Sequence, residues 1–180
     1  MEFAYELKIP RERIAVLIGT DGEVKKELEE LTGSQINVDS KEGDIRITGE
    51  DSLSLYAIRE VVRAIGRGFN PDIARLLLKP DYVLEIIQLQ EFVKNKKNHF
   101  DRVRGRVIGS GGKAREQIEQ LTESFICVYG KTVSIIGDNE SVVIAKKAVE
   151  SLLNGSPHSN VYRFLEKNRK NIKKHRMLDI

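Results

Sequence analysis

Residues 107–113 read Val-Ile-Gly-Ser-Gly-Gly-Lys, and residues 17–23 read Leu-Ile-Gly-Thr-Asp-Gly-Glu, at an offset of 90 positions. The same offset continues as far as Val38 and Val128, with Glu, Leu, Thr, Ser and Ile at matching places on the way. Chance does not keep two stretches of this length in register. The chain is therefore a tandem duplication, and an internal repeat decides the architecture before any local propensity does.

Each repeat predicts the element order β-α-α-β-β-α, because helical spacing flanks the glycines and two short apolar strand patterns follow. The fold class is α+β: two tandem domains, each with a three-stranded sheet and three helices. We place the first domain at residues 1–69 and the second at residues 81–154. Between them residues 70–80 predict a linker helix, and residues 155–180 predict a basic C-terminal helical extension.

Composition narrows the class of protein. The 180 residues are 40% hydrophobic, and no apolar run approaches the roughly 20 residues that span a bilayer. Residues 1–8 lack the basic-then-apolar pattern of a signal peptide. Cys127 is the single cysteine, which excludes a disulfide framework and a cysteine zinc cluster. We expect a soluble, cytoplasmic protein with no membrane contact.

The charges are divided unevenly between the two halves. Residues 1–80 hold 12 Lys and Arg against 15 Asp and Glu, a net charge of −3. Residues 81–180 hold 18 against 12, a net charge of +6. This asymmetry favours a protein in which mainly one half meets a polyanion, and a solubility feature is the alternative interpretation.

Residues 109–112, the second glycine loop, form the stronger candidate site. Glycines have no Cβ to hold a nucleotide away, and the amides that open the next helix attract phosphate oxygens. We predict binding by Gly109, Ser110, Gly111 and Gly112, with cations from Arg104, Arg106, Lys113 and Arg115.

Residues 19–22, the first glycine loop, carry a carboxylate that would face an incoming phosphate. Asp21 stands between the two glycines and Glu23 follows them. At about 4 Å in water such a repulsion costs about 1 kcal/mol. We therefore predict that this copy either binds RNA weakly or faces a protein partner, through Ile18, Gly19, Thr20, Asp21, Gly22 and Lys25.

The glycines do not fit a nucleotide cofactor. A P-loop requires glycine and Ser or Thr where Val107 and Ala114 stand. A dinucleotide fold requires a buried strand before its glycines, and Arg102, Arg104 and Arg106 make that segment too charged. We expect no cofactor.

Catalytic and metal-binding patterns are also missing from the sequence. His99, His158 and His175 are scattered without ligand spacing and are expected to be ordinary surface or loop residues. Cys127 lies in an apolar strand, where a small buried side chain is the usual explanation. We expect neither a metal site nor an enzyme.

The two glycine motifs, each within the order β-α-α-β-β-α, resemble the signature of type I KH domains. Residues 104–109 read Arg-Gly-Arg-Val-Ile-Gly and residues 156–162 read Ser-Pro-His-Ser-Asn-Val-Tyr. Together they resemble the archaeal form of the KH-type small-subunit rRNA-processing factors, the family called Partner of Nob in eukaryotes. One departure is that the first glycine loop is intact here, whereas eukaryotic relatives tend to have lost theirs.

The resemblance implies a groove for about four single-stranded nucleotides, with the glycine loop clamping the backbone. The implied lining is Val107, Ile108, Ile126 and Val128, with Lys131 at the edge. It further implies a role near the 3′ end of the small-subunit rRNA. The implied protein partners are a maturation endonuclease or the alpha subunit of translation initiation factor 2.

Two other functions stay open from the sequence: a KH adaptor in RNA decay or translational control, and a protein-interaction scaffold. The basic C-terminal helix has two interpretations as well, a solvated end or an auxiliary phosphate contact. Its cations are Arg163, Lys167, Arg169, Lys170, Lys173, Lys174 and Arg176.

Overall fold

The computed structural model describes residues 1–93 and 99–178, which form two compact units that divide between Tyr82 and Val83. The predicted order β-α-α-β-β-α is confirmed in both repeats. Residues 179–180 of the predicted C-terminal extension lie outside the described residues. None of the helices in the described part of the chain has the length and apolarity that crossing a membrane requires.

The first unit has its helices packed on one three-stranded sheet. Its repeat elements are β1 (Phe3–Lys8), α1 (Arg11–Ile18), α2 (Glu23–Thr32), β2 (Gln35–Asp39), β3 (Asp44–Gly49) and α3 (Ser52–Gly66). The strand order is β1-β3-β2, and both pairings are antiparallel. Leu17, Leu28 and Ile47 are fully buried where the helices meet the sheet.

The predicted linker helix is two short pieces: α4 (Pro71–Ala74) and a 3₁₀ turn over Arg75–Leu78. The side chain of Asn70 caps α4, accepting a hydrogen bond from the Ile73 amide at 3.0 Å. Both pieces pack against α3, and Ala74 is fully buried there. This segment therefore adds to the core of the first unit.

The second unit repeats the plan. Its elements are β4 (Tyr82–Gln88), α5 (His99–Ile108), α6 (Lys113–Thr122), β5 (Phe125–Tyr129), β6 (Thr132–Asp138), α7 (Asn139–Leu153) and α8 (His158–Leu178). The strand order β4-β6-β5 matches that of the first sheet. A 3₁₀ turn over Leu89–Phe92, which the sequence did not predict, follows β4. The added helix α8 packs against α6 and α7.

A polar contact fastens the helix after each glycine loop to the strand that follows it. In the second unit Oε1 of Glu119 accepts a hydrogen bond from the Ile126 amide at 3.1 Å. In the first unit Oε1 of Glu29 accepts from the Ile36 amide at 2.8 Å. Since both carboxylates lie at the matching place, the duplication has kept this contact as well as the apolar core.

Replacing Glu119 with alanine is expected to lower the free energy of unfolding by about 1–3 kcal/mol, because the Ile126 amide loses a charged acceptor. Urea denaturation followed by circular dichroism measures the change. Glu119→Gln is the control, because the amide oxygen can still accept from Ile126. An alanine variant as stable as the wild type would show that the contact has no structural weight.

Candidate nucleic-acid interface

The second glycine loop joins α5 to α6 through three residues with positive φ. Gly109, Gly111 and Gly112 have φ angles of 72°, 60° and 78°. At Gly109 the ψ angle is 179°, a combination that essentially only glycine adopts. The chain reverses here within four residues and then enters α6 at Lys113. The loop geometry therefore requires the glycines that define the motif.

The three glycines of the second loop have two different structural roles. A Cβ at Gly109 would lie 2.6 Å from Cβ and 2.9 Å from the amide nitrogen of Ala114, so this residue allows the two helices to pack closely. A Cβ at Gly111 or Gly112 would meet nothing within 4 Å. These two residues therefore leave an open face of bare backbone at the start of α6.

The first glycine loop has the same backbone as the second. Gly19, Asp21 and Gly22 have φ angles of 76°, 54° and 74°, and a Cβ at Gly19 would lie 2.5 Å from Cγ2 of Val24. Asp21 adopts the conformation that Gly111 has in the other copy, which aspartate tolerates better than most residues. The two loops thus differ in side-chain charge and not in shape.

The apolar residues predicted for the groove divide into two pairs. Ile108 and Val128 are partly exposed and can meet a ligand. Val107 and Ile126 are 0% and 4% exposed and belong to the core of the second unit. The expected contact of Val107 and Ile126 with a ligand therefore needs correction: their side chains point into the core and support the groove from beneath.

Two of the predicted cations are engaged within their own helix. Arg115 pairs with Glu119 at 2.5 Å, and Lys25 pairs with Glu29 at 3.2 Å. Each of these glutamates also accepts a hydrogen bond from a strand amide. Arg115 and Lys25 therefore help to position the carboxylate that links the helix to the strand. They are less available to a ligand than the sequence suggested.

Arg104 and Lys131 bring α5 and the turn between β5 and β6 together. The Arg104 guanidinium donates to the carbonyl of Gly130 at 2.7 Å and also pairs with Asp101. The ammonium of Lys131 lies 5.2 Å from the ring centroid of Phe100. Both predicted cations thus lie where α5 approaches this turn.

Arg106 and Lys113 flank the second glycine loop on its two sides. Lys113 is exposed and Arg106 is partly exposed. Within residues 1–93 and 99–178 the structure gives neither of them an ion pair with a carboxylate, and a Cβ at Gly155 would lie 3.5 Å from the Arg106 guanidinium. The open loop therefore has a positively charged residue on each side.

His158 is the residue that the sequence assigned to the ordinary surface and the structure places beside the site. Its Nε2 donates to the carbonyl of Arg106 at 2.9 Å, on the last turn of α5, and its ring lies 6.1 Å from that of Tyr162. The contact ties the start of α8 to the helix that carries the second glycine loop. In the sequence, His158 is marked only by its place in the segment 156–162 that carries the family resemblance.

Family models match both repeats. Residues 83–170 match the model described as a eukaryotic-type KH domain of type I, and residues 4–64 match the model of the KH domain. The element order, the two glycine loops and the two family-model matches together define the class of protein. It is a protein with two KH domains in tandem.

Relatives and solved structures agree with this class. The chain is 47% identical over 174 residues to a KH domain-containing protein of Methanocaldococcus jannaschii, covering 94% of this chain and 76% of that one. It is 32% identical over 114 residues to the pre-rRNA-processing protein pno1 of Schizosaccharomyces pombe, covering 63% and 47%. The chain therefore spans about half the length of this eukaryotic relative.

Among solved structures, the a/eIF2alpha-aDim2p-rRNA complex from Pyrococcus horikoshii matches with a TM-score of 0.89 and 45% identity, covering 94% of this chain and 96% of that one. A protein of unknown function from Aeropyrum pernix matches with a TM-score of 0.94 and 39% identity, covering 99% and 97%. This chain belongs to the KH-domain family that includes archaeal Dim2p and eukaryotic pno1, which confirms the resemblance drawn from its glycine motifs.

Two substitutions in the second glycine loop are expected to differ in their effect on stability. Gly109→Ala should lower the free energy of unfolding by at least about 2 kcal/mol, because its Cβ meets Ala114 and its backbone conformation excludes alanine. Gly111→Asp should cost about 1 kcal/mol or less, because Asp21 already adopts this conformation in the first loop. Thermal and urea denaturation of both variants measure the difference, and equal losses would contradict the division of roles.

Proposed function

We propose that this chain binds single-stranded RNA in the groove of its second KH domain, and that its target is the 3′ region of small-subunit rRNA during subunit maturation. The observation that carries the proposal is the second glycine loop, whose backbone is open at Gly111 and Gly112 and flanked by Arg106 and Lys113. A bare backbone with a positive field suits a phosphate chain better than it suits a protein surface.

The mechanism is a clamp and not a reaction. KH grooves hold about four nucleotides by their backbone, and the amides and dipole at the start of α6 attract the phosphates. Ile108 and Val128 supply partly exposed apolar surface for the bases. Aromatic residues are few along this groove, so backbone contacts and hydrogen bonds to base edges contribute more than stacking does. We infer a binding protein without enzymatic activity.

The rRNA target is supported by the relatives. The Pyrococcus horikoshii structure is a complex of aDim2p with rRNA and a/eIF2alpha, and the fission yeast relative is a pre-rRNA-processing protein. For this chain we propose the same RNA class, with the alpha subunit of translation initiation factor 2 as one protein partner. A maturation endonuclease is a second proposed partner. With such partners, we propose a cytoplasmic location.

Binding to a labelled RNA that copies the 3′ end of the small-subunit rRNA tests the proposal. Fluorescence anisotropy over a salt series should show tighter binding than to a scrambled RNA. If the groove neutralises about 3–4 phosphates, log affinity against log salt should slope by about −2 to −3. Equal binding to both RNAs would favour a general RNA adaptor, and no binding would favour a protein-interaction scaffold.

Gly111→Asp should weaken this binding by about fivefold to a thousandfold, the range for a repulsion of about 1–4 kcal/mol at about 4 Å. The charge is the cause, so Gly111→Asn, which adds nearly the same volume without charge, is the matched control. Titration of both folded variants with the 3′-end RNA measures the effect. The clamp assignment fails if folded Gly111→Asp protein binds as tightly as the wild type.

The reciprocal change tests whether Asp21 silences the first glycine loop. In the Gly111→Asp background, Asp21→Gly should restore RNA binding in part, because it recreates an open loop on the same backbone. The gain should be about tenfold over the single variant, measured by the same titration. Lack of any gain would show that the first loop is closed to RNA for reasons other than its carboxylate.

A further inference from the structure

Four cations lie in a row along α8. They follow one another at intervals of four, three and four residues, which places them on one face of a helix. All four are exposed. The set, called the cationic stripe below, is Arg163, Lys167, Lys170 and Lys174.

The opposite face of α8 is its packing face. Val161, Leu165 and Ile172 are at most 5% exposed, and the helix packs through them against α6 and α7. The cationic stripe therefore points directly into solvent. Between Val161 and Ile172 every apolar residue is buried or partly buried, so the outward face offers charge without apolar surface.

Two side chains of the last turn have carboxylate partners, and the cations of the stripe do not. Arg176 pairs with Glu123 and Asp138, and His175 lies 3.2 Å from an oxygen of Glu140. Across the ranges 1–93 and 99–178, no ion pair is found for a residue of the cationic stripe. The last turn of α8 is thus joined to the second unit by residues outside the stripe, and the charges of the stripe are exposed to solvent.

The stability of the helix does not explain these charges. Like charges at spacings of three and four residues repel one another along a helix, and exposed Glu166, between Arg163 and Lys170, offsets only part of this repulsion. The helix dipole favours cations only in the last turn, and Arg163 and Lys167 lie well before it. A polyanion on the outward face would relieve this repulsion.

The N-terminal end of α8 lies beside the proposed RNA site. His158, the first residue of α8, contacts the carbonyl of Arg106 just before the second glycine loop. Arg163 is five residues further on, about 7–8 Å along the axis, and the stripe extends about 16 Å beyond it. At the far end Arg176 contacts Glu123, directly after α6. Helix α8 thus runs from the glycine-loop end of α6 to its other end, with the stripe on the face turned to solvent.

We propose that the cationic stripe binds the phosphate backbone of the RNA segment next to the one held in the second groove. The inference rests on the proposed function and extends its RNA footprint beyond the nucleotides that the groove holds. Backbone contacts of this kind add affinity without reading sequence. A protein partner is less suited to this face, because charged residues, lysine among them, are depleted at the core of protein interfaces.

The test compares two RNAs and two variants of the full chain. One RNA has about five nucleotides, enough for the groove alone, and the other has about 15, enough to reach the stripe. The stripe variant carries Arg163→Gln, Lys167→Gln, Lys170→Gln and Lys174→Gln. The matched control removes the same charge from exposed residues of the first unit with Lys8→Gln, Arg11→Gln, Lys41→Gln and Arg46→Gln.

The stripe variant should bind the long RNA about tenfold more weakly and with a salt slope shallower by about 2–3, since each lost single-strand phosphate contact removes about 0.7. Its binding of the short RNA should be unchanged, and the control should keep the wild-type slope with both. An unchanged slope for the long RNA overturns the proposal, and this is the result an acidic protein partner would give. An equal change in the control, or an equal loss for the short RNA, overturns it too. If wild-type protein binds neither RNA, the proposed function fails as well; if it binds the short RNA alone, only the stripe proposal fails.

Discussion

The close packing of two helices across each glycine loop is the constraint on which the rest of the structure depends. Gly109 and Gly19 each lie where a Cβ would come within 2.6 Å of a side chain on the following helix. Only this approach lets the chain reverse in four residues while both helices stay packed on the same sheet. The later positions of each glycine loop make no packing contact between the two helices. The residues there can therefore differ between the copies without loss of the fold.

Much of the fold could be predicted because the duplication presents each turn and core position twice in the sequence. A glycine or an apolar residue that recurs at an offset of 90 marks a turn or a core position more reliably than local propensity does. The predicted order of elements is confirmed in both repeats, with shifts at their ends. The 3₁₀ turn over Leu89–Phe92 and the division of the residue 70–78 segment were missed, because both lie outside the stretch that recurs at the offset of 90.

The candidate site was less predictable than the fold, because the residues that a side chain contacts depend on the folded structure. Arg115 looks like a phosphate ligand in sequence, yet Glu119 one turn later engages it. Val107 and Ile126 are expected from the sequence to line the groove, but both side chains belong to the hydrophobic core of the second unit. His158 is 52 positions from Arg106 along the chain, and only folding brings the two into contact. Each case is a long-range or competing interaction that a single sequence does not reveal.

The ties between the walls of the second groove have a consequence for how binding is controlled. Glu119 holds β5 to α6 at the Ile126 amide, and Arg104 holds α5 to the Gly130 carbonyl. These two contacts set the width of the groove, so the groove is preorganised. The conformational entropy lost on association is then mainly that of the ligand strand. Matching and mismatched strands should then form encounters at similar rates and differ chiefly in residence time. A rigid groove of this kind discriminates by how long a strand stays.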